Sequence, residues 1–272
     1  MSNFDFKTHL SDLKKYSDSL AANKSKSFIF SPSLKNDFIR QNSKITEPVA
    51  AYNQNIEKEY GSTFPDNLNQ LKNEILNCEI CPLKNTRKNA IFGTGSFSPK
   101  ILFISKSPKP DDDSSGVPLR GEAGLILEKI IKNVLMLEPE DVFITNLLRC
   151  IIPENAEGLT KSYIDKCKHY TFRLIEFLNP AIICLLGNET FKTVLSDQIK
   201  KNDGIADFHG KIFYYKQIPV IATFSLYALI KNDPGKEKRR IVFEDMKKIK
   251  ELSEKILGGG DSCYGEKTKI KG

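Results

Sequence analysis

Nothing in this 272-residue chain approaches the roughly 20 consecutive apolar residues that span a bilayer, so membrane insertion is not expected. The longest apolar run, Pro180-Ala-Ile-Ile-Cys-Leu-Leu-Gly187, has the length of a buried strand. No secretory leader is expected either, because Met1 to Leu10 is polar, with Asp5, Lys7 and His9 where an apolar stretch would be needed. The chain also lacks the dense, regular cysteine framework of a small secreted scaffold: its 6 cysteines are unevenly spaced. A reducing cytoplasm is the expected location, and there grouped cysteines point to metal or redox chemistry rather than disulfides.

With 40% hydrophobic residues the chain is long enough to bury a sizeable core, and one large domain with tails is expected. The 41 Lys and Arg outnumber the 34 acids, giving a formal charge of +7. That moderate excess favours polyanions, although it equally suits a solvated basic surface.

Residues 1–65 are rich in Lys, Ser, Asn and Asp, show only short helical patterns and contain no repeat, so a poorly ordered or helical extension is expected. From Asp66 onward Leu68, Leu71, Ile75 and Leu76 recur at helical spacing, and this helix delivers Cys78 and Cys81 at its end. The run Lys100-Ile-Leu-Phe-Ile-Ser105 reads as a buried strand, followed by a loop with Asp111, Asp112, Asp113 and Gly116. A helix over 124–135, a strand over 141–146, a helix over 163–178 bearing Cys167 near its start, and a strand over 181–186 come next. Residues 189–195 turn helical, 213–215 and 220–223 supply further strands, and 239–257 closes the domain as a helix ended by Gly258-Gly259-Gly260. Strand and helix alternating in this order predict an α/β domain over 66–257, three-layer α/β/α with a central, mainly parallel sheet, followed by a loose tail over 258–272. Ligands of such sheets sit beyond the carboxyl ends of the strands, where Ser105, Asn146, Gly187 and Phe224 fall.

Two residues between Cys78 and Cys81 allow both thiolates to face one ion or cluster, and Cys150 and Cys167 complete a candidate set of four. Zinc and a four-iron four-sulfur cluster both accept four thiolates, so the ligands alone do not choose between them. Cys184, inside an apolar strand, is expected to pack, and Cys263 has no nearby partner in sequence.

Over residues 66–256 the motifs, in order and spacing, resemble the family 4 uracil-DNA glycosylases, the iron-sulfur branch of their superfamily. The resemblance is carried by Cys78-Glu-Ile-Cys81-Pro-Leu with Thr86-Arg87, Phe92-Gly-Thr-Gly95, and Gly116-Val-Pro118-Leu-Arg-Gly121-Glu-Ala123-Gly124. It continues through Ile144-Thr-Asn146-Leu-Leu-Arg-Cys150-Ile-Ile-Pro153-Glu-Asn155, Cys167, Leu186-Gly187, Gly210 and Ala222-Thr223. It implies the α/β/α glycosylase fold and a 4Fe-4S cluster held by Cys78, Cys81, Cys150 and Cys167. It also implies a uracil pocket and a cleft for DNA, single-stranded or duplex with a flipped base, bound by a monomer. Asn146 matches the family residue that reads the base edge, a task suited to an amide with both donor and acceptor; the alternative is a strand-end turn or helix cap.

Three other pocket positions depart from the family pattern. Gly-Glu-Ala-Pro-Gly is replaced by Ser105-Lys106-Ser107-Pro108-Lys109, so Lys106 stands where the family has an acid. Pro-Phe-Val-Gly is replaced by Pro118-Leu119-Arg120-Gly121, which leaves Leu119 without an aromatic face for stacking. Thr-Tyr-His-Pro is replaced by Thr223-Phe224-Ser225-Leu226, so Ser225 occupies the histidine position. Asp112 and Asp113 match an acidic pair that would place a water, or else form a solvated turn. Lys231, Lys238 and Arg239 stand with Lys236 and Arg240 around the final loop, where the resemblance puts DNA; a solvated helix start is the plainer reading. His209, before Gly210, would meet a phosphate or sit in a surface loop. Phe224 and Tyr227 would stack on a base or pack. The expected function is therefore a glycosylase-like DNA repair protein hydrolysing the N-glycosidic bond of uracil or another damaged base. The alternative is a catalytically silent iron-sulfur DNA-binding protein of the same fold.

Overall fold

Short, unbroken apolar runs belong to strands covered on both faces, and in the computed structural model of the chain they form the centre of the molecule. The structure describes residues 66–231 and 236–258. The expected extension over 1–65, the tail beyond 258 with Cys263, and the side chain of Lys231 lie outside the described residues.

Six strands make one sheet in the order β1-β3-β2-β4-β6-β5. They are β1 (Thr94–Gly95), β2 (Ile101–Ser105), β3 (Val142–Asn146), β4 (Ile182–Leu186), β5 (Ile212–Tyr215) and β6 (Ile218–Thr223). The inner strands β3, β2, β4 and β6 run parallel, while β1 and β5 pair antiparallel at the two edges. The register Ile101↔Val142, Ile101↔Ile182 and Ser105↔Asn146 brings the carboxyl ends of these strands to one side.

Because successive strand side chains point to opposite faces, β2 feeds two cores. Ile101 and Phe103 pack with Val142, Ile182, Cys184 and Ile221; Leu102 and Ile104 pack with Phe143, Ile183, Leu185 and Val220. The helices are α1 (Asp66–Leu76), α2 (Pro110–Ser115), α3 (Glu122–Ile130), α4 (Thr160–Leu178), α5 (Asn188–Val194), α6 (Ile205–Phe208), α7 (Leu226–Lys231) and α8 (Glu237–Gly258). The apolar stripes of α1, α4 and α5 cover the Leu102 face, and those of α3, α7 and α8 cover the Ile101 face, giving the expected three layers. On the first face an Arg173–Glu74 ion pair joins α4 to α1. Among the described residues no helix is long and apolar enough to cross a membrane.

Several element expectations need correction. The stretch around Asp111 to Asp113, expected as a loop, is the helix α2, closed by Gly116 at φ +72°. It has no apolar periodicity to reveal it, but Pro110 at its start and three acids in its first turn suit the free N–H groups and positive end of a helix. The helix expected over 124–135 begins at Glu122, and its last turn, Ile131–Leu135, widens to a π-helix ended by Met136 at φ +57°. Cys167 stands two turns into α4 rather than near its start, because the helix begins at Thr160, and the closing helix starts at Glu237.

Candidate functional site

Backbone pairing continues past the ends of β2 and β3: the Leu147 N–H donates to the Ser105 carbonyl at 2.7 Å and that of Leu148 to the Lys106 carbonyl at 2.9 Å. Gly187 is tied likewise to the Thr223 carbonyl, at 2.9 Å. The strand ends thus form one fixed row. Asn146 is fully buried in it, and its Nδ2 donates to Ser105 Oγ at 2.6 Å. Its Oδ1 is buried without a partner. Reversing the amide would exchange the two atoms and still leave one polar atom unpartnered. A buried polar atom left unpaired costs about 1–3 kcal/mol, a cost that a ligand supplying the missing partner would remove. The bond to a neighbouring strand's hydroxyl is not that of a turn or a helix cap.

The departing positions lie at or beyond the carboxyl ends of the strands and in the loop after α2. Lys106 Nζ lies 3.6 Å from Glu189 Oε1, a partly exposed pair joining the exits of β2 and β4. Leu119 is 6% exposed and adopts φ +54°, a left-handed conformation unusual for a bulky residue. Only glycine fits at position 124, since a Cβ there would lie 1.5 Å from the Leu119 carbonyl oxygen. Half-buried Ser225 lies against Gly187, itself at φ +108°, where an added Cβ would come within 3.2 Å of the serine Cβ.

Asp112 and Asp113 are spent on the backbone. Asp112, fully buried, accepts from Arg120 N at 2.6 Å, from Lys109 N at 3.0 Å and from the Tyr227 hydroxyl at 3.4 Å. Burial pushes its carboxyl above the ordinary value, although these hydrogen bonds oppose the shift. Asp113 accepts from Lys88 N at 3.0 Å and Asn89 N at 3.2 Å. Neither is a solvated turn residue. Tyr227 is held here as well, with Lys109 Nζ 5.3 Å from its ring centroid, while Phe224 is half-buried against both cores.

On the Leu102 face, Cys78, Cys81, Cys150 and Cys167 line a single cavity with Arg87, Arg149 and Tyr170. They converge from the turn after α1, the segment after β3, and α4. Arg87 organises them: its guanidinium donates to Cys150 Sγ at 3.1 Å and to the Cys78 carbonyl at 2.8 Å. Burial pushes the Cys150 thiol up despite Arg87, and pushes Cys167 up to about 11 despite Arg149. Among the described residues no three or more His, Cys, Asp or Glu side chains form a ready-made ligand set for a single ion. Four thiols around one cavity, with cationic neighbours, nonetheless fit a group that takes one thiolate at each of several corners and carries net negative charge. Cys184 is fully buried in β4, and desolvation raises its thiol strongly, as suits a packing cysteine.

Arg149 was not foreseen from the sequence as a site residue. It is 1% exposed, bonded to the Phe92 carbonyl at 2.9 Å, to Thr145 Oγ1 and to Thr171 Oγ1 at 3.2 Å, and burial lowers its guanidinium to about 10. It remains a cation at neutral pH, placed behind the cysteines. His209 meets no open surface loop: its Nδ1 faces buried Asp245 at 3.2 Å, and Asp245 also accepts from Thr223 Oγ1 at 2.6 Å. Arg239 is exposed but donates to the Leu229 carbonyl at 3.2 Å, tying α8 to α7, and Lys238 is half-buried at the same helix start.

A model of the uracil DNA glycosylase superfamily matches residues 92–247. The chain is 34% identical over 209 residues to a type-4 uracil-DNA glycosylase of Saccharolobus solfataricus, covering 75% of this chain and 95% of that protein. The type-4 uracil-DNA glycosylase of Sulfurisphaera tokodaii is 32% identical over 216 residues, covering 75% and 96%. That of Thermotoga maritima is 32% identical over 183 residues, covering 66% and 92%.

Proposed function

The chain belongs to the uracil DNA glycosylase superfamily, among its type-4 members, and from that we propose a DNA repair protein that hydrolyses the N-glycosidic bond of uracil or another damaged base. The observation that carries this reading is Asn146, a fully buried amide at the carboxyl end of β3 with one polar atom unpartnered. A base turned out of the DNA stack presents a carbonyl beside a ring N–H, and an amide with one donor and one acceptor complements both. Ser105 holds the amide in place. Leu119 closes the pocket with an apolar surface, and Ser225 offers a hydroxyl to a base oxygen on which negative charge grows as the bond breaks.

DNA reaches the pocket across the start of α8, where Lys238 and Arg239 supply phosphate contacts, with Lys231 at the end of α7 as a further candidate, from single strands or from a duplex with its base flipped. The protein works as a monomer in the cytoplasm, preceded by an extension over 1–65. Cys78, Cys81, Cys150 and Cys167 would hold a four-iron four-sulfur cluster, which when bound supplies a fixed cross-link between the turn after α1, the exit of β3 and α4. Arg87 and Arg149 supply positive charge beside it.

A second reading is favoured by Lys106, Leu119 and Ser225, none of which has the chemistry the family uses there: a DNA-binding protein of this fold that has lost excision. Single-stranded and duplex oligonucleotides carrying uracil, hypoxanthine or xanthine separate the two. Abasic sites on any of them support excision; bound but uncut DNA supports the silent protein.

A further inference from the structure

Excision needs a group that orients and deprotonates the attacking water, and the acids foreseen for it are buried and engaged by backbone N–H groups. We propose that Glu189 is the water-activating carboxylate of this protein, held in position by Lys106; this rests on the glycosylase reading.

The placement follows from the sheet. Strands β2 and β4 are parallel neighbours paired through Ile104↔Leu185, so the segments that leave them emerge side by side. Lys106 is the first residue after β2, and Glu189 lies in the first turn of α5, directly beyond β4. Strand β3, with Asn146, lies on the other side of β2. The Asn146–Ser105 pair and the Lys106–Glu189 pair therefore stand on consecutive strand ends along one edge of the sheet.

The pair suits the task chemically. At 3.6 Å the ammonium and carboxylate attract one another, but the distance exceeds the roughly 2.7–2.9 Å of a tight charge-assisted hydrogen bond, so the carboxylate keeps lone pairs for water. Side-chain exposures of 33% for Lys106 and 41% for Glu189 leave both within reach of solvent and substrate, unlike Asp112 at 0% and Asp113 at 5%. The carboxylate lacking at position 106 is thus supplied one strand over, and the lysine that took its place steers it. An exposed ion pair of this kind adds little to stability, so its expected effect is on rate.

In the step assigned to it, a water oxygen forms a bond to the sugar C1′ while the C1′–N bond breaks. The electron pair of that bond leaves on the base as its anion, and the water proton passes to Glu189. The base anion then takes a proton from solvent, and Glu189 returns its own to solvent. Lys106 is a positioning residue, since its charge holds the carboxylate beside the exit of β2.

The test is single-turnover cleavage of a uracil-containing oligonucleotide by the full chain, with affinity for the same DNA and thermal stability measured in parallel. E189Q should lower the rate by about 100-fold or more, with affinity and melting temperature unchanged. K106R should retain most of the rate, and the exchange K106E/E189K, which returns the carboxylate to the end of β2, should recover at least about ten-fold over E189Q. An E189Q rate within about three-fold of wild type, where wild type cleaves, overturns the proposal and leaves the glycosylase reading standing. Wild-type protein that makes no abasic site on uracil, hypoxanthine or xanthine oligonucleotides overturns that reading and this inference together.

Discussion

Asp113 offers a quantitative test of whether the acidic pair is structural. Its carboxylate is 5% exposed and accepts from the backbone N–H groups of Lys88 and Asn89, while Asn89 Nδ2 donates to the Asp113 carbonyl at 2.6 Å. These bonds fasten α2 to the segment that runs from the cysteine turn to β1. Replacing Asp113 with Ala strands two partly buried donors at about 1–2 kcal/mol each, for a total near 2–4 kcal/mol. In a domain of this size that lowers the melting temperature by about 5–15 °C. D113N keeps one acceptor oxygen and should cost about 1 kcal/mol. Thermal and urea denaturation followed by circular dichroism measure both, and cleavage per folded molecule, taken well below the transition, should stay within a few-fold of wild type. If D113A melted with wild type and yet lost its activity, Asp113 would belong to the chemistry and this account of α2 would be wrong.

Asp112 carries a pH signature. Burial raises its folded-state value above 3.8, so the folded chain binds that proton more tightly than the unfolded one. Its contribution to stability is therefore complete below the unfolded value and is lost as pH rises through the raised folded value. D112N should flatten that decline in urea midpoints collected from acid to neutral pH; a decline identical to wild type would refute the assignment. C167S should remove the brown colour expected of protein prepared without air, whose iron and sulfide should each be near about four per chain. Wild-type protein that is colourless and holds zinc would contradict the cluster. K238A should weaken DNA binding evenly across sequences and reduce the salt slope by about one, whereas an affinity insensitive to salt would refute the phosphate contacts.

Which parts of this arrangement the sequence discloses depends on how local their physics is. The strands and long helices follow from apolar runs and 3.6-residue spacing, and the cysteines from their grouping. Helix α2 is not legible in the sequence because Pro110, Asp111, Asp112 and Asp113 have no apolar face, and its stability comes from capping and from partners distant in sequence. Arg149 does not stand out in the sequence as a site residue because arginine is ordinarily exposed, and its burial is accounted for by its bonds to Phe92, Thr145 and Thr171. Glu189 carries no motif; Lys106 and Glu189 meet solely because β2 and β4 are neighbours. Asn146 was legible as a strand-end amide, but its unpartnered atom is a property of packing.

The central claim, that Asn146 reads a base whose glycosidic bond this protein breaks, is tested most directly by single-turnover cleavage of a uracil oligonucleotide with wild type and N146A side by side. The account predicts abasic sites from wild type and a rate lower by about 100-fold or more in N146A, with DNA still bound. No abasic site from wild type on uracil, hypoxanthine or xanthine DNA, or an N146A as fast as wild type, would contradict it.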